Sequence, residues 1–549
     1  MKPLKAAAAA LTAVALSLGT VACSGNGDGA DENPSTDYFG YQLPVPLVTS
    51  NAATNLGDSL KMQRLSGRVF PGPFVPGPSG QMIPNTDLVT TQVLPGANRK
   101  VEYTLTEQAK FSDGVPVTCD DYQLAFTAGK NPAIFSSHMP QFDAVESIEC
   151  TPGSKKFTIK YVEKAGGRWR ELFGAGTVLP AHAIAKKIGL ETAALTGALQ
   201  ASDYEVMARA ADVWRFGYAL DKFDPALQVS FGPYKIQAVG KDGEVTLVAN
   251  DAYYGQAPQI DTIVVWPGSA DTADLVSKGA LKVGDISDPK PAWFDPNAEG
   301  NPYKVETVVG EMTDTLVFAD GGAWADKEMR AAVSKCIDPK AVAAASSKVA
   351  GVEVPVTPVR VLPHNDPLAR RLGDIANPHL NVDIEGARAA AGTELRVGYS
   401  VADPRYAAMV EAMRVSCEPA GISIKDVTGK GKTRGDLVSP DVLDEVMGTV
   451  TPGTGSIDAY LGAVAPMREY DSSDSRSGEL RALRGEERRL WDELPSIPLS
   501  AQPRTFVIDK SMEQVVPYTG PVGIGWNMDR WRFAAAAPSS AQKPKKTKD

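Results

Sequence analysis

Leu395-Arg-Val-Gly-Tyr-Ser-Val-Ala-Asp-Pro-Arg-Tyr-Ala-Ala-Met-Val-Glu-Ala-Met-Arg-Val-Ser-Cys-Glu-Pro-Ala-Gly-Ile-Ser-Ile-Lys-Asp-Val427 is the stretch that decides the architecture. Leu395 to Tyr399 reads as a strand. Met409, Val410, Met413 and Cys417 then mark one face of a helix, and Ile422 to Val427 supplies a second strand. Strand, helix and strand within about 33 residues make a βαβ unit, which requires a parallel pair and α/β layering.

The same patterns recur on either side. Met329, Val333, Cys336 and Ile337 fall on one helical face at i, i+4, i+7 and i+8. Val101 to Thr106 alternates apolar and polar residues, and Asp120 and Asp121 are placed to cap a helix through Gln123–Phe126. Gly232-Pro-Tyr-Lys-Ile-Gln-Ala-Val239 and Glu244 to Ala249 flank Lys241-Asp242-Gly243, a strong hairpin signal. Ile260 to Trp266 is another apolar strand, ended by Pro267-Gly268. No internal repeat is seen.

At 549 residues the chain exceeds what one compact core accommodates. With 43 % hydrophobic and 22 % charged residues it is neither wholly disordered nor a polytopic membrane protein. The formal charge is −10, and the body is more acidic still once Lys2 and Lys5 are set aside, so nothing favours nucleic acid as a partner. Four histidines leave little room for a histidine-rich metal site, and no metal or cofactor is implied.

Lys2 and Lys5 precede an uncharged run, Ala6 to Ala22, and then a Ser/Gly/Asn/Asp-rich stretch, which is the order of a secretory signal followed by a flexible tether. Removing Cys23 leaves Cys119, Cys150, Cys336 and Cys417, which allow three pairings. Proximity and the domain reading favour Cys119–Cys150 and Cys336–Cys417. The short CxxC-type spacing of a thiolate zinc site is absent.

Motifs for chemistry fail on inspection. Gly431-Lys-Thr433 resembles the end of a phosphate-binding loop, but Asp426 stands where its first glycine belongs. Neither HExxH nor GxSxG occurs. His182 opens a helix and reads as packing or capping, and His138, His364 and His379 have no neighbours that build a triad. The chain is not expected to be an enzyme.

Several segments together resemble the family 5 extracellular solute-binding proteins, the peptide- and nickel-binding lipoproteins of ABC importers, as found in actinobacteria. The resemblance is carried by Phe111-Ser-Asp-Gly-Val-Pro-Val-Thr118 and by Gly232-Pro-Tyr-Lys-Ile236 with Asn250-Asp-Ala-Tyr-Tyr-Gly255. Weaker echoes are Leu179-Pro-Ala-His182, Met329 to Asp338, and Trp491 to Leu499. Thr20-Val-Ala-Cys23 resembles a lipobox, although Thr20 replaces the usual aliphatic residue, and implies lipidation of Cys23.

The resemblance implies two α/β lobes joined by two crossovers, near Trp266–Gly268 and near Pro498–Pro503, with a ligand cleft between them. The expected division is a signal peptide (1–22), a tether (23–36), lobe I (37–266 and 503–533), lobe II (267–502) and a disordered tail (534–549). The Trp- and Asp-bearing segment that holds a peptide ammonium in the family is replaced here by Leu443 to Tyr460. Trp is gone, so either Asp458, the one nearby carboxylate beyond the strand, substitutes or an ammonium is not what this cleft reads, while the short run to Pro495 implies a trimmed lobe II. Candidate contacts are Asn51, Thr54 and Asn55 from one lobe and Thr449, Thr454, Ser456 and Asp458 from the other. Trp324 and Trp526 are candidates for stacking.

The implied function is a monomeric, lipid-anchored protein on the outer face of the cell membrane. It would capture a small solute, foremost an oligopeptide, and deliver it to ABC permease subunits. The alternative keeps the fold but makes the chain a partner-binding or assembly factor of the envelope.

Overall fold

The computed structural model describes residues 39–444, 449–473 and 476–534. The expected signal, the tether with Cys23, and the tail beyond Ala534 lie outside these residues.

The βαβ reading is met in full. Glu394–Gly398 and Ser423–Asp426 pair in parallel, with Leu395 opposite Ile424. Helix Pro404–Cys417 crosses between them; Asp403 accepts a hydrogen bond from the Arg405 amide at its start, with Pro404 in the first turn. This unit forms one edge of a ten-stranded mixed sheet. From that edge the order is Ser423–Asp426, Glu394–Gly398, Ala459–Val464, Tyr303–Phe318, Ser496–Asp509, Leu281–Ile286, Gly40–Gln42, Thr262–Trp266, Val245–Ala249 and Tyr234–Val239. The last two are the expected hairpin, turned at Gly243 with φ +82°. A separate four-stranded antiparallel sheet, in the order 89–94, 100–105, 156–161, 145–150, carries the alternating segment.

Two large apolar cores lie on the two halves of the long sheet. The first gathers residues from 39–265 with Val283, Phe506, Met512, Ile524, Met528 and Trp531. The second runs from Leu316 to Leu499. Two strands serve both halves, Tyr303–Phe318 and Ser496–Asp509, paired antiparallel from Tyr303↔Asp509 to Val317↔Ser496. Pro498–Pro503, read from sequence as a crossover, lies within the second of these strands. Trp266-Pro267-Gly268 is instead followed by Leu281–Ile286, which returns to pair with Gly40–Gln42.

The resembling motifs meet in the first core. The Ser112 amide donates to Ser230 O (2.7 Å) and the Ser230 amide to Ser112 Oγ (3.1 Å). Phe111 packs edge-on to Phe231, and His182 lies against Phe111 while its Nε2 sits 3.0 Å from Asp113 Oδ2. Gly114 has φ +90°, and a Cβ on Gly232 would come within 2.1 Å of Arg68 O, so both positions require glycine. Thr118 rather than Asp120 or Asp121 is the N-cap of helix Cys119–Lys130, and its amide donates to Asp121 Oδ2 at 2.9 Å.

Disulfides join Cys119 to Cys150 and Cys336 to Cys417. The second ties the chain just past helix Lys327–Ser334 to the last residue of helix Pro404–Cys417.

Beneath the second core Arg360 and Glu487 form an ion pair of 3.3 Å with side chains 1 % and 0 % exposed. The Glu487 carboxylate also accepts the Arg360 and Val361 amides, and Arg360 stacks on Trp491, whose other ring contact is His379. Arg360→Met strands a buried carboxylate. It should cost about 3–5 kcal/mol, read as a lower midpoint in urea denaturation with an unchanged slope.

Candidate functional site

Three of the polar residues singled out from sequence, Asn51, Thr54 and Asp458, are committed to holding backbone. Asn51 is fully buried, donates to Trp214 O (2.8 Å) and accepts from the Ala53 amide (2.9 Å). Thr54 caps helix Asn55–Ser59 by accepting from the Gly57 amide, and Asn55 Nδ2 donates to Ser136 Oγ at 3.3 Å. Asp458, with a side chain 8 % exposed, accepts from Arg396 three times: from its amide, Nε and NH2, at 2.8–2.9 Å.

The remaining candidates are scattered. Thr454 and Ser456 are exposed; Ser456 Oγ accepts from Lys432 Nζ at 2.9 Å. Trp324 is buried and stacked on Phe318, and Trp526 packs against Ala175, Tyr518 and Val522 while donating to Val516 O. The Thr449 side chain lies outside the described residues. Among the described residues, none of the other candidates lines any of three cavities between the two cores.

The cores meet instead through a segment sequence reading passed over, Pro466 to Ser472. It follows strand Ala459–Val464, whose residues are all buried, so the chain leaves the sheet there and must dispose of its polar groups. The Asp471 carboxylate accepts the amides of Gly166 (2.6 Å) and Arg168 (3.2 Å). The Arg168 guanidinium in turn donates to Tyr470 O (2.7 Å) and Val361 O (2.8 Å). Gln141 Nε2 donates to Arg468 O at 3.1 Å.

Beside it lies an ionic cluster. Glu469 sits 2.9 Å from His138 Nε2 and 3.4 Å from Arg434, and Arg434 is 3.7 Å from Asp58, which pairs with Lys61 at 3.1 Å. The Arg434 amide also donates to Ser59 Oγ. Burial pushes both carboxyls up, but their cationic neighbours outweigh it. Lys61, His138 and Arg434 hold Asp58 below its ordinary value, and Arg434 with His138 holds Glu469 far below its own.

Next to this cluster a cavity of about 460 Å³ opens between the cores. Phe74, Pro76, Met82 and Arg170 come from the first-core side, and Glu311, Met312, Met467 and Arg468 from the other. The hairpin Phe74–Pro76/Met82–Pro84 forms one wall. Burial raises the Glu171 carboxyl, with Arg468 opposing; burial and Glu171 together raise Glu311. A smaller cavity of about 90 Å³ runs past Arg64, Asp285, Arg405 and Arg504 toward the shared strands. The arrangement can enclose an amphipathic solute of modest size. It brings no nucleophile together with a base. The one sequence signal for it was Met467-Arg468-Glu469, charged residues directly after a buried strand.

The model of the bacterial extracellular solute-binding proteins, family 5 (middle region), matches residues 87–425. An uncharacterized lipoprotein of Mycobacterium bovis is 30 % identical over 551 residues, covering 93 % of this chain and 95 % of its own. Among solved structures, the periplasmic EDTA-binding protein EppA superposes with a TM-score of 0.64 at 16 % identity, over 92 % of this chain and all of its own. The oligopeptide-binding protein of Thermus thermophilus, complexed with a pentapeptide, gives 0.63 at 13 % identity, over 92 % and 99 %.

The ionic cluster sets a pH dependence. Asp58 and Glu469 have lowered folded values, so their stabilisation is complete above the ordinary carboxylate range and is lost as pH falls below about 4.3. Glu469→Gln removes its share at every pH. Its melting temperature should lie below wild type at pH 7, by the equivalent of about 3 kcal/mol. The two curves should converge as the pH is lowered.

Proposed function

The chain belongs to the family 5 bacterial extracellular solute-binding proteins, and from that premise we propose that it captures an oligopeptide between its lobes and delivers it to an ABC importer. The carrying observation is the cavity of about 460 Å³ whose walls come from both cores. That volume is of the size that encloses a small ligand. Its walls are about evenly polar and apolar and carry charged groups of both signs, which suits a short peptide's side chains and two ends. The pentapeptide in the Thermus neighbour supports the same reading.

Cys23 anchors the chain by lipid on the outer face of the membrane. The lipoprotein relative supports this, and among the described residues no helix is long and apolar enough to span a bilayer. Asp458 keeps a structural role here, and the ligand is held by groups around the cavity.

Native mass spectrometry of the lipoprotein released gently from membranes should show a retained mass that fragments into amino-acid residues. Affinity capture from the same membranes should recover ABC permease subunits in near-stoichiometric amount. Recovery of envelope-assembly proteins without permease, from a chain free of solute, would replace transport by the assembly role. Cys23→Ala should move the protein from the membrane to the soluble fraction.

A further inference from the structure

The charged groups lining the large cavity are not evenly satisfied. Arg170 lies over the Trp169 ring at 4.5 Å, and the Arg468 guanidinium packs against Gly174, where a Cβ would meet it at 2.6 Å. Asp366 accepts the Leu368 amide at 2.8 Å. Glu171 and Glu311 line the same space, and neither carboxylate has a hydrogen bond or ion pair among the described residues. Gln63 lines it too; the residue is 2 % exposed and its Oε1 is buried without a partner.

Gln63 Oε1 is a buried acceptor left unmade, which is costly, and the two carboxylates of the same cavity are half-buried with no hydrogen bond among the described residues. Three acceptors in one cavity with no donor in hydrogen-bond reach are a site waiting for donors. We infer that Glu171, Glu311 and Gln63 Oε1 form the reading end of the cavity and that its ligand presents a cationic N–H group, a primary ammonium or a guanidinium. A primary ammonium carries three donors, one for each of the two carboxylates and the amide carbonyl. The apolar wall of Phe74, Met82, Met312 and Met467 takes the body behind the cation. This rests on the reading of this cavity as the solute site, but it does not require the solute to be a peptide.

The test is calorimetric titration of the full chain in detergent with four probes: trialanine, N-acetyl-trialanine, hexylammonium and hexanol. Each is repeated with Glu171→Gln/Glu311→Gln. Wild type should bind trialanine at least tenfold tighter than its acetylated form, and hexylammonium tighter than hexanol; the double variant should erase both differences while binding the neutral probes unchanged. Because the two carboxylates hold no hydrogen bond or ion pair among the described residues, the variant should melt no lower than wild type, which separates recognition from folding.

Equal affinity for the free and acetylated peptide would overturn the inference and leave the peptide reading intact. Hexylammonium binding that depends on the two glutamates, without any trialanine binding, would uphold the inference and overturn the peptide reading. Failure of both cationic probes would overturn both, and tight binding of calcium chloride alone at these glutamates would overturn the inference by making the site a metal site.

Discussion

Everything in the molecule hangs on one antiparallel pair, Tyr303–Phe318 against Ser496–Asp509. At one end Tyr303 and Val507 pack with Leu281 and Ile286; at the other Leu316, Ile497 and Leu499 belong to the second core. Because both strands are central and nearly every residue of the second is buried, removing the pair would leave two half-sheets with bare edges. The most deeply buried charged groups on these strands are accordingly matched, while half-buried Glu311 at the cavity is not: Arg504 meets Asp285, and Asp314 meets Arg405 and Tyr406. These are buried pairs whose value lies in keeping neighbouring strands and helices in one arrangement.

The fold was legible wherever it is local. Leu395–Val427 and the hairpin around Gly243 declare themselves because strand, turn and partner lie within a few dozen residues. The glycines of the FSDG and GPY segments could be recognised as architectural, since one adopts a left-handed backbone and the other admits a neighbouring carbonyl. The shared pair was not legible. Its partners are some 190 residues apart in sequence, far beyond the reach of any local pattern. Pro498 and Pro503, which argue against a central strand, sit inside it opposite Thr315 and Val309.

The site was less legible for a related reason. Asn51 and Thr54 stand out in the sequence as polar residues after an apolar segment and Asp458 as the carboxylate of the segment that replaces the family's ammonium holder, but such positions also expose unpaired backbone or neighbouring guanidinium groups, and those claimed the side chains. Glu171, Glu311 and Gln63 belong to unremarkable stretches. What sets them apart is the lack of a partner, a property that exists only after the two cores are brought face to face.

The pairing of the two long strands is irregular between Val309 and Thr313, where Gly310 lies so close to Gln502 that a side chain would strike its carbonyl. A ladder bends most readily where rungs are missing, and any change of angle between its two ends concentrates there. Glu311 and Met312, in that gap, are also walls of the large cavity. If Glu311 reads the solute's cation, the irregular point of the ladder and the sensing group are one piece of backbone, and a solute that pulls on Glu311 pulls where the ladder bends most readily.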